Sequence, residues 1–250
     1  MRGALAALVL AAAAASIPGA AAGRGIGLSA SPLRLTLRGA SSAAVVVRNP
    51  GRRAVLVDVS RAGLARSLRG RPRVRPARSS AKWLRMRPRR IRIAPGAKRV
   101  LHVRAVPRRA APGDHPALVL LTTRPLGLKH VRVRVRVGVI VVLRIRGRIV
   151  RRLDARALTV RRIGTLRLLE LRLVNRGNVT ERLARDGLRL SLLSGRRKVA
   201  TLRPRSRELL PHSAGIAVFA YRGRLRGVVR ARVELRPPVR GPRRSFRARL

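Results

Sequence analysis

Residues 130–147 read HVRVRVRVGVIVVLRIRG, and this stretch decides the fold. From Val131 to Val137 valine and arginine alternate. A strand has a side-chain period of two, so the valines share one face and Arg132, Arg134 and Arg136 share the other, about 7 Å apart. At Gly138 the alternation stops, and Val139, Ile140, Val141, Val142 and Leu143 follow without a polar break. Both faces of that segment must be covered, by two sheets or by two domains meeting. A helix would need apolar residues at three- and four-residue spacings, and a Val/Ile run interrupted by Gly is a poor helix former. The stretch is therefore read as one long strand that closes a β-domain and leads into another.

The rest of the composition agrees with a folded, disulfide-free β-protein. The 250 residues are 46% hydrophobic, enough for one or two packed cores, and contain no Cys. Lys and Arg number 61 against 8 Asp and Glu, a formal net charge of +53. Lys stands only at 82, 98, 129 and 198, so nearly all of this charge is arginine. That skew has two sources open to it, GC-rich coding or selection for an acidic partner. Either way the surface attracts nucleic acid, acidic wall polymers and anionic head groups, with salt weakening each attraction. The aromatic residues Trp83, Phe219, Tyr221 and Phe246 are too few and scattered to stack bases, so nucleic acid is expected only as a non-specific ligand.

At the N-terminus, Arg2 precedes an apolar run over 4–15, Pro18 and Gly19 break it, and Ala20-Ala21-Ala22 offers small residues for cleavage. This pattern is that of a secretory signal peptide over 1–22. A membrane span needs about 20 apolar residues, which neither this run nor any later one supplies. An exported protein is expected: extracellular, wall-associated or periplasmic.

Short strands are expected at 33–37, 43–47, 54–59, 91–93, 100–106 and 117–122. Asn49-Pro50-Gly51, Pro95-Gly96 and Pro112-Gly113-Asp114 punctuate them as turns. Residues 62–80 are rich in Arg, Gly and Pro without a clear period, and read as a long basic loop or frayed edge. After 148 the pattern restarts, with strands at 157–160, 166–174, 188–193, 198–202, 216–221, 228–235 and 246–250. The turn Asn175-Arg176-Gly177-Asn178 resembles the first half's VVVRNPG (45–51), and Leu210-Pro211 mirrors Ala94-Pro95-Gly96. The expected architecture is all-β: two tandem antiparallel immunoglobulin-like β-sandwiches after a signal peptide, over 23–147 and 148–250.

The order of VVVRNPG (45–51), Trp83, IRIAPGAKRVLHVRA (91–105) and PGDHPALVLL (112–121) resembles the first domain of periplasmic pilus chaperones. It also resembles that of the bacterial surface proteins called WxL-interacting proteins. The resemblance spans roughly residues 26–146 and implies an immunoglobulin-like fold with a protein or cell-wall partner. Pilus chaperones grip their subunit's terminal carboxylate with a basic pair. Here the later position falls near Gly138, which carries no charge, and the earlier falls around Arg34, so neither is carried over. The WxL-interacting proteins usually end in a membrane anchor, which this sequence lacks.

No catalytic motif occurs. His102, His115, His130 and His212 form no metal pair, and neither a G-x-S-x-G elbow nor a P-loop is present, so no enzyme, metal or cofactor is expected. The eight carboxylates stand isolated among arginines and read as ion-pair partners, with Asp114 capping a turn. Asn178-Val179-Thr180 fits a glycosylation sequon, a pattern common by chance. The candidate binding surface is the face carrying Arg132, Arg134 and Arg136, suited to phosphates or carboxylates. The alternative is a solvated face, and sheet edges are a second route to a partner. The leading functional expectation is an exported, non-enzymatic protein that associates with a cell-wall polymer or with surface-protein assembly. A periplasmic-type chaperone for pilus or secreted subunits, and a charge-driven polyanion binder, are the alternatives.

Overall fold

The computed structural model describes residues 27–250 except 77–78, 125, 129–130, 185–186, 206 and 224–226, with backbone alone at 126–128 and 131–132. The expected leader over 1–22 therefore lies outside the described residues, as does His130.

Twelve strands build the first sandwich: β1 (Ser29–Ser31), β2 (Arg34–Arg38), β3 (Ser42–Arg48), β4 (Val55–Arg66), β5 (Pro72–Arg75), β6 (Leu84–Arg87), β7 (Arg90–Ile93), β8 (Lys98–Ala105), β9 (Gly113–Thr123), β10 (Leu126–Leu128), β11 (Val131–Val133) and β12 (Arg136–Ile145). One sheet runs β1-β3-β8-β6 and the other β2-β12-β9-β4-β5, with β7 also on β4. Alternation does the folding: β3 buries Val45 and Val47 and exposes Ala44, Val46 and Arg48. Those valines pack with Val57, Ile93, Leu101, Val103, Val119, Leu121, Val139, Val141 and Leu143 into one core. Each such side chain contributes about 1.5–3 kcal/mol by leaving water.

The second sandwich holds β13 (Leu153–Ile163), β14 (Leu166–Asn175), β15 (Glu181–Arg182), β16 (Leu188–Ser194), β17 (Arg197–Leu202), β18 (Glu208–Leu209), β19 (Ala214–Tyr221), β20 (Val228–Leu235) and β21 (Arg244–Arg249). Sheets β13-β14-β19 and β17-β16-β20-β21 enclose Leu169, Leu171, Leu173, Leu190, Leu192 and Phe219. Strand pairing is antiparallel apart from β2 alongside β12 and a single Arg152–Arg240 bridge. The chain is thus an all-β tandem of immunoglobulin-like sandwiches. Among the described residues no helix is long and apolar enough to cross a membrane.

The two asparagine turns that mirror each other in sequence do the same work in each half. Asn49 is fully buried; its amide donates to the carbonyls of Arg53, Ile93 and Ala94, and its Oδ1 accepts from Gly51 N–H. Asn175, also fully buried, donates to Val179, Leu209 and Leu210 and accepts from Gly177. In each half the Asn turn is tied to the mirrored proline element, Ala94 or Leu210. A buried amide whose hydrogens are all accepted keeps the turn and strand in one geometry.

Three expectations are corrected. The organising stretch is not one continuous strand: it breaks at Arg134–Val135 into β11 and β12. The cause is Thr123, whose hydroxyl accepts from Val135 N–H while its own N–H donates to Val135 O, so a side chain replaces a backbone rung. Secondly, of the two readings offered for residues 62–80, the sheet edge holds and the long loop does not among the described residues. Strand β4 runs on to Arg66, β5 pairs with it, and a 3-10 turn spans Ser79–Trp83. All four β5 residues are exposed, so an edge strand with no buried face leaves no period-two trace. Thirdly, Asp114 is not a turn cap but a buried residue inside β9.

Candidate functional site

The uninterrupted run after Gly138 is covered on both faces because the two sandwiches meet there. Val139, Val141 and Leu143 point into the first core. Ile140 joins Ala62, Leu64, Leu118 and Leu120 on the opposite face, where Leu210 of the second sandwich covers them. Beside this apolar strip lies a cleft of about 460 Å³, walled by Arg34, Thr36, Arg38, Val142 and Arg144 from the first sandwich and by Val179, Thr180 and Arg182 from the second.

Buried acids fix the inner end of the cleft. Asp114 accepts from Arg144 through Nε at 2.7 Å and Nη2 at 3.0 Å, and from the Thr180 N–H at 2.9 Å across the junction. Its backbone N–H donates to Asn178 O, while Asn178 Nδ2 reaches Pro112 O and Arg148 O. Burial raises the Asp114 carboxyl. The Arg144 hydrogen bond, the Thr180 N–H and the Arg144 charge together outweigh it, and the carboxyl is held below its ordinary value. The same hydrogen bond raises Arg144, against desolvation. Glu181, fully buried, accepts from Arg151 through Nη2 at 2.5 Å and Nε at 3.0 Å.

Glu208 of β18 carries the charge that opposes two of the cleft's arginines, Arg34 and Arg182. It accepts from Arg34 Nη1 at 2.5 Å and Arg66 Nη2 at 3.3 Å, with Arg182 Nε at 3.7 Å. The turn after β4 closes this side: Leu68 O accepts from Ile216 N–H at 2.9 Å and from Arg207 Nη2. Gly70, at φ +85°, lies flat against the Arg207 guanidinium, where a Cβ would come within 2.8 Å of Nη2.

The open feature is the edge of β12. Strand β9 pairs with all of it, from Arg136 to Ile145, but β2 covers only Ile140–Arg144. The N-terminal chain changes sheets between β1 and β2, at Pro32, which has no N–H to offer a ladder. Among the described residues, the second side of Arg136–Val139 is therefore left without a strand. Val133 beside it is 43% exposed.

The three arginines of the expected basic face are divided by the strand break. Arg132 lies in β11, Arg134 in the break, and Arg136 at the start of β12; Arg134 and Arg136 are exposed, and Arg136 Nε donates to Thr122 Oγ1 at 3.3 Å. Arg34, left unassigned by sequence, lies beside Ile140 in the parallel ladder and shares Glu208 with Arg66 and Arg182. Glu208, one of the eight carboxylates read as ion-pair partners, is paired as expected, whereas its partner Arg66 was not singled out. Scarcity is the signal that points to Glu208, because few acids are placed among many cations. Among the described residues no group of His, Asp and Glu is arranged to hold a metal ion.

No family model and no curated protein matches the sequence. Solved structures do match the fold. The class 5 fimbriae chaperone CfaA aligns over 89% of this chain and 99% of its own, with TM-score 0.51 at 10% identity. A chain of a chaperone–tip adhesin complex of CFA/I fimbriae biogenesis aligns over 89% and 98%, with TM-score 0.50 at 10% identity. The likeness extends through both sandwiches and establishes a pilus-chaperone-like, two-domain immunoglobulin fold.

Proposed function

We propose that this chain is an exported, periplasmic-type, non-enzymatic chaperone that holds a secreted or surface subunit by adding a strand to it. The observation that carries this reading is the uncovered edge at Arg136–Val139, continuous with the valine-alternating stretch that includes Val133 and Val135. A partner sandwich lacking one strand would pair with that backbone edge and take the valines as the missing apolar face. The fold likeness to fimbrial chaperones supports the same reading. It reverses the order of the two expectations drawn from sequence, since no finding favours a cell-wall polymer or nucleic acid. The arginines at 132, 134 and 136 would then act as an electrostatic guide, and as a guard against pairing with the wrong edge.

The test places a photo-crosslinker at position 138, exposed on the uncovered edge, in the secreted protein and identifies what it captures. Capture of a β-rich subunit is expected, lost in a Val133→Glu/Val135→Glu variant and retained when Arg132, Arg134 and Arg136 are changed to Ser. Retention on purified wall sacculi at moderate salt, unaffected by the valine changes, would overturn the chaperone reading.

A further inference from the structure

A second cavity of about 620 Å³, lined by Glu208, is also formed between the sandwiches. The first sandwich contributes Arg66 and Arg69 at the end of β4 and its turn; the second contributes Arg161, Arg205 and Arg207. Two carboxylates, Glu170 and Glu208, face these five guanidinium groups.

Both carboxylates are overcommitted. Glu170 is shared by Arg69 at 3.4 Å and Arg161 at 3.6 Å, and Glu208 is shared with Arg34 and Arg182 outside the cavity. The pairs made inside the cavity, Arg69 and Arg161 with Glu170 and Arg66 with Glu208 at 3.3 Å, are loose beside the 2.7 Å of Arg144–Asp114. The Nε atoms of Arg66 and Arg207 are buried with no hydrogen-bond partner. Arg207 is pinned through its Nη atoms to the carbonyls of Ile216 and Leu68 and cannot swing away to solvent. Burial, then the charges of Arg66 and Arg69, lower its pKa.

We propose that this cavity is an oxyanion site for a phosphate-class dianion, which bridges the two sandwiches through Arg66 and Arg69 on one side and Arg161, Arg205 and Arg207 on the other. Arginine forks match phosphate oxygens in bidentate pairs. A monocarboxylate would leave most of the excess charge in place. A nucleic-acid strand is disfavoured because no aromatic side chain lines the cavity to stack a base. The site is separate from the β12 edge and stands whether or not that edge captures a subunit. The same phosphate chemistry is offered by a free anion or by a lipid head group.

The full mature chain is titrated with inorganic phosphate and with pyrophosphate in chloride at about physiological ionic strength, about 0.15 M, by calorimetry and thermal shift. Vesicles of phosphatidic acid run alongside. The expected result is one saturable site by calorimetry, with a Tm that goes on rising with the logarithm of anion concentration above the same Kd. Arg161→Gln/Arg205→Gln weakens it roughly tenfold, from the loss of two charge-assisted contacts. Arg230→Gln/Arg232→Gln, which removes the same charge from exposed positions of β20, leaves it unchanged. Arg205 and Arg161 are exposed, and the single Arg205→Gln repeats the test should the double variant misfold. Vesicle binding that obeys the same variants identifies a head group as the source, and soluble anions alone identify a free one. Unsaturable binding reduced equally by both double variants would mean an adventitious counter-ion only, and would overturn the proposal.

Discussion

Asp114 is the residue on which the junction most depends, and its replacement by Asn has a calculable cost. The carboxylate side chain is 1% exposed, whereas its partner Arg144 is 43% exposed. Asn keeps the shape and one acceptor for Thr180 N–H or for Arg144, but presents a donor where the other stands. Loss of a hydrogen bond to a charged group costs about 1.5–3 kcal/mol. Arg144 regains water through its exposed part, which moves the expected loss to about 2 kcal/mol. For a chain of this size that is a Tm decrease of roughly 4–8 °C. Arg144→Met should be worse, about 3–4 kcal/mol, because it strands a buried carboxylate with only the Thr180 N–H. The double variant should lose less than the sum of the singles by about 2 kcal/mol, since the two residues act as one unit. The sign with pH follows from the depressed Asp114 carboxyl. Its contribution is fully present above the unfolded value near 3.8 and is lost as pH falls through the folded value, so wild type and Asp114→Asn converge in acid. Urea unfolding followed by the fluorescence of Trp83, the sole Trp, reports the first sandwich, and far-UV circular dichroism reports both. Strictly additive single and double variants, or Arg144→Met milder than Asp114→Asn, would refute the reasoning.

The paired asparagine turns should fail in the same way: Asn49→Ala and Asn175→Ala each leave buried carbonyls unsatisfied and should each cost about 3 kcal/mol, measured by urea midpoint. Equal loss of fluorescence and dichroism midpoints for both would show that neither sandwich unfolds alone. Gly113→Ala should separate the sandwiches, because Gly113 sits at φ +122° and a Cβ would lie 2.2 Å from Asn178 O across the junction. A destabilisation of at least about 2 kcal/mol, with greater protease sensitivity at 146–152, is the expected outcome; an unchanged Tm would contradict it.

The β-sandwich class was legible because strand alternation needs no knowledge of partners. Strand β20 over Val228–Leu235 has the bounds that its pattern predicts, and β14 differs from its pattern by one residue. The unbroken run over 139–143 likewise announced that a second body covers β12, and Ile140 beneath Leu210 is that cover. Legibility ended where a segment has no buried face, as at β5, or where a side chain interrupts a ladder, as Thr123 does beside Arg134. The strand carrying Arg132, Arg134 and Arg136 is interrupted for the second of these reasons.

Pattern along one strand reports whether each face meets water, and by itself the sequence determined that this chain is two β-sandwiches with an overwhelming positive charge. Which strand stands at an edge, and which of 61 cations each of the few acids neutralises, depends on residues distant in sequence. Arg34 and Glu208 are 174 residues apart, and Arg69 and Glu170 are 101 apart. Only the tertiary structure decided that these acids belong to the junction, because an ion pair is a matter of a few ångströms in space and leaves no period in the chain.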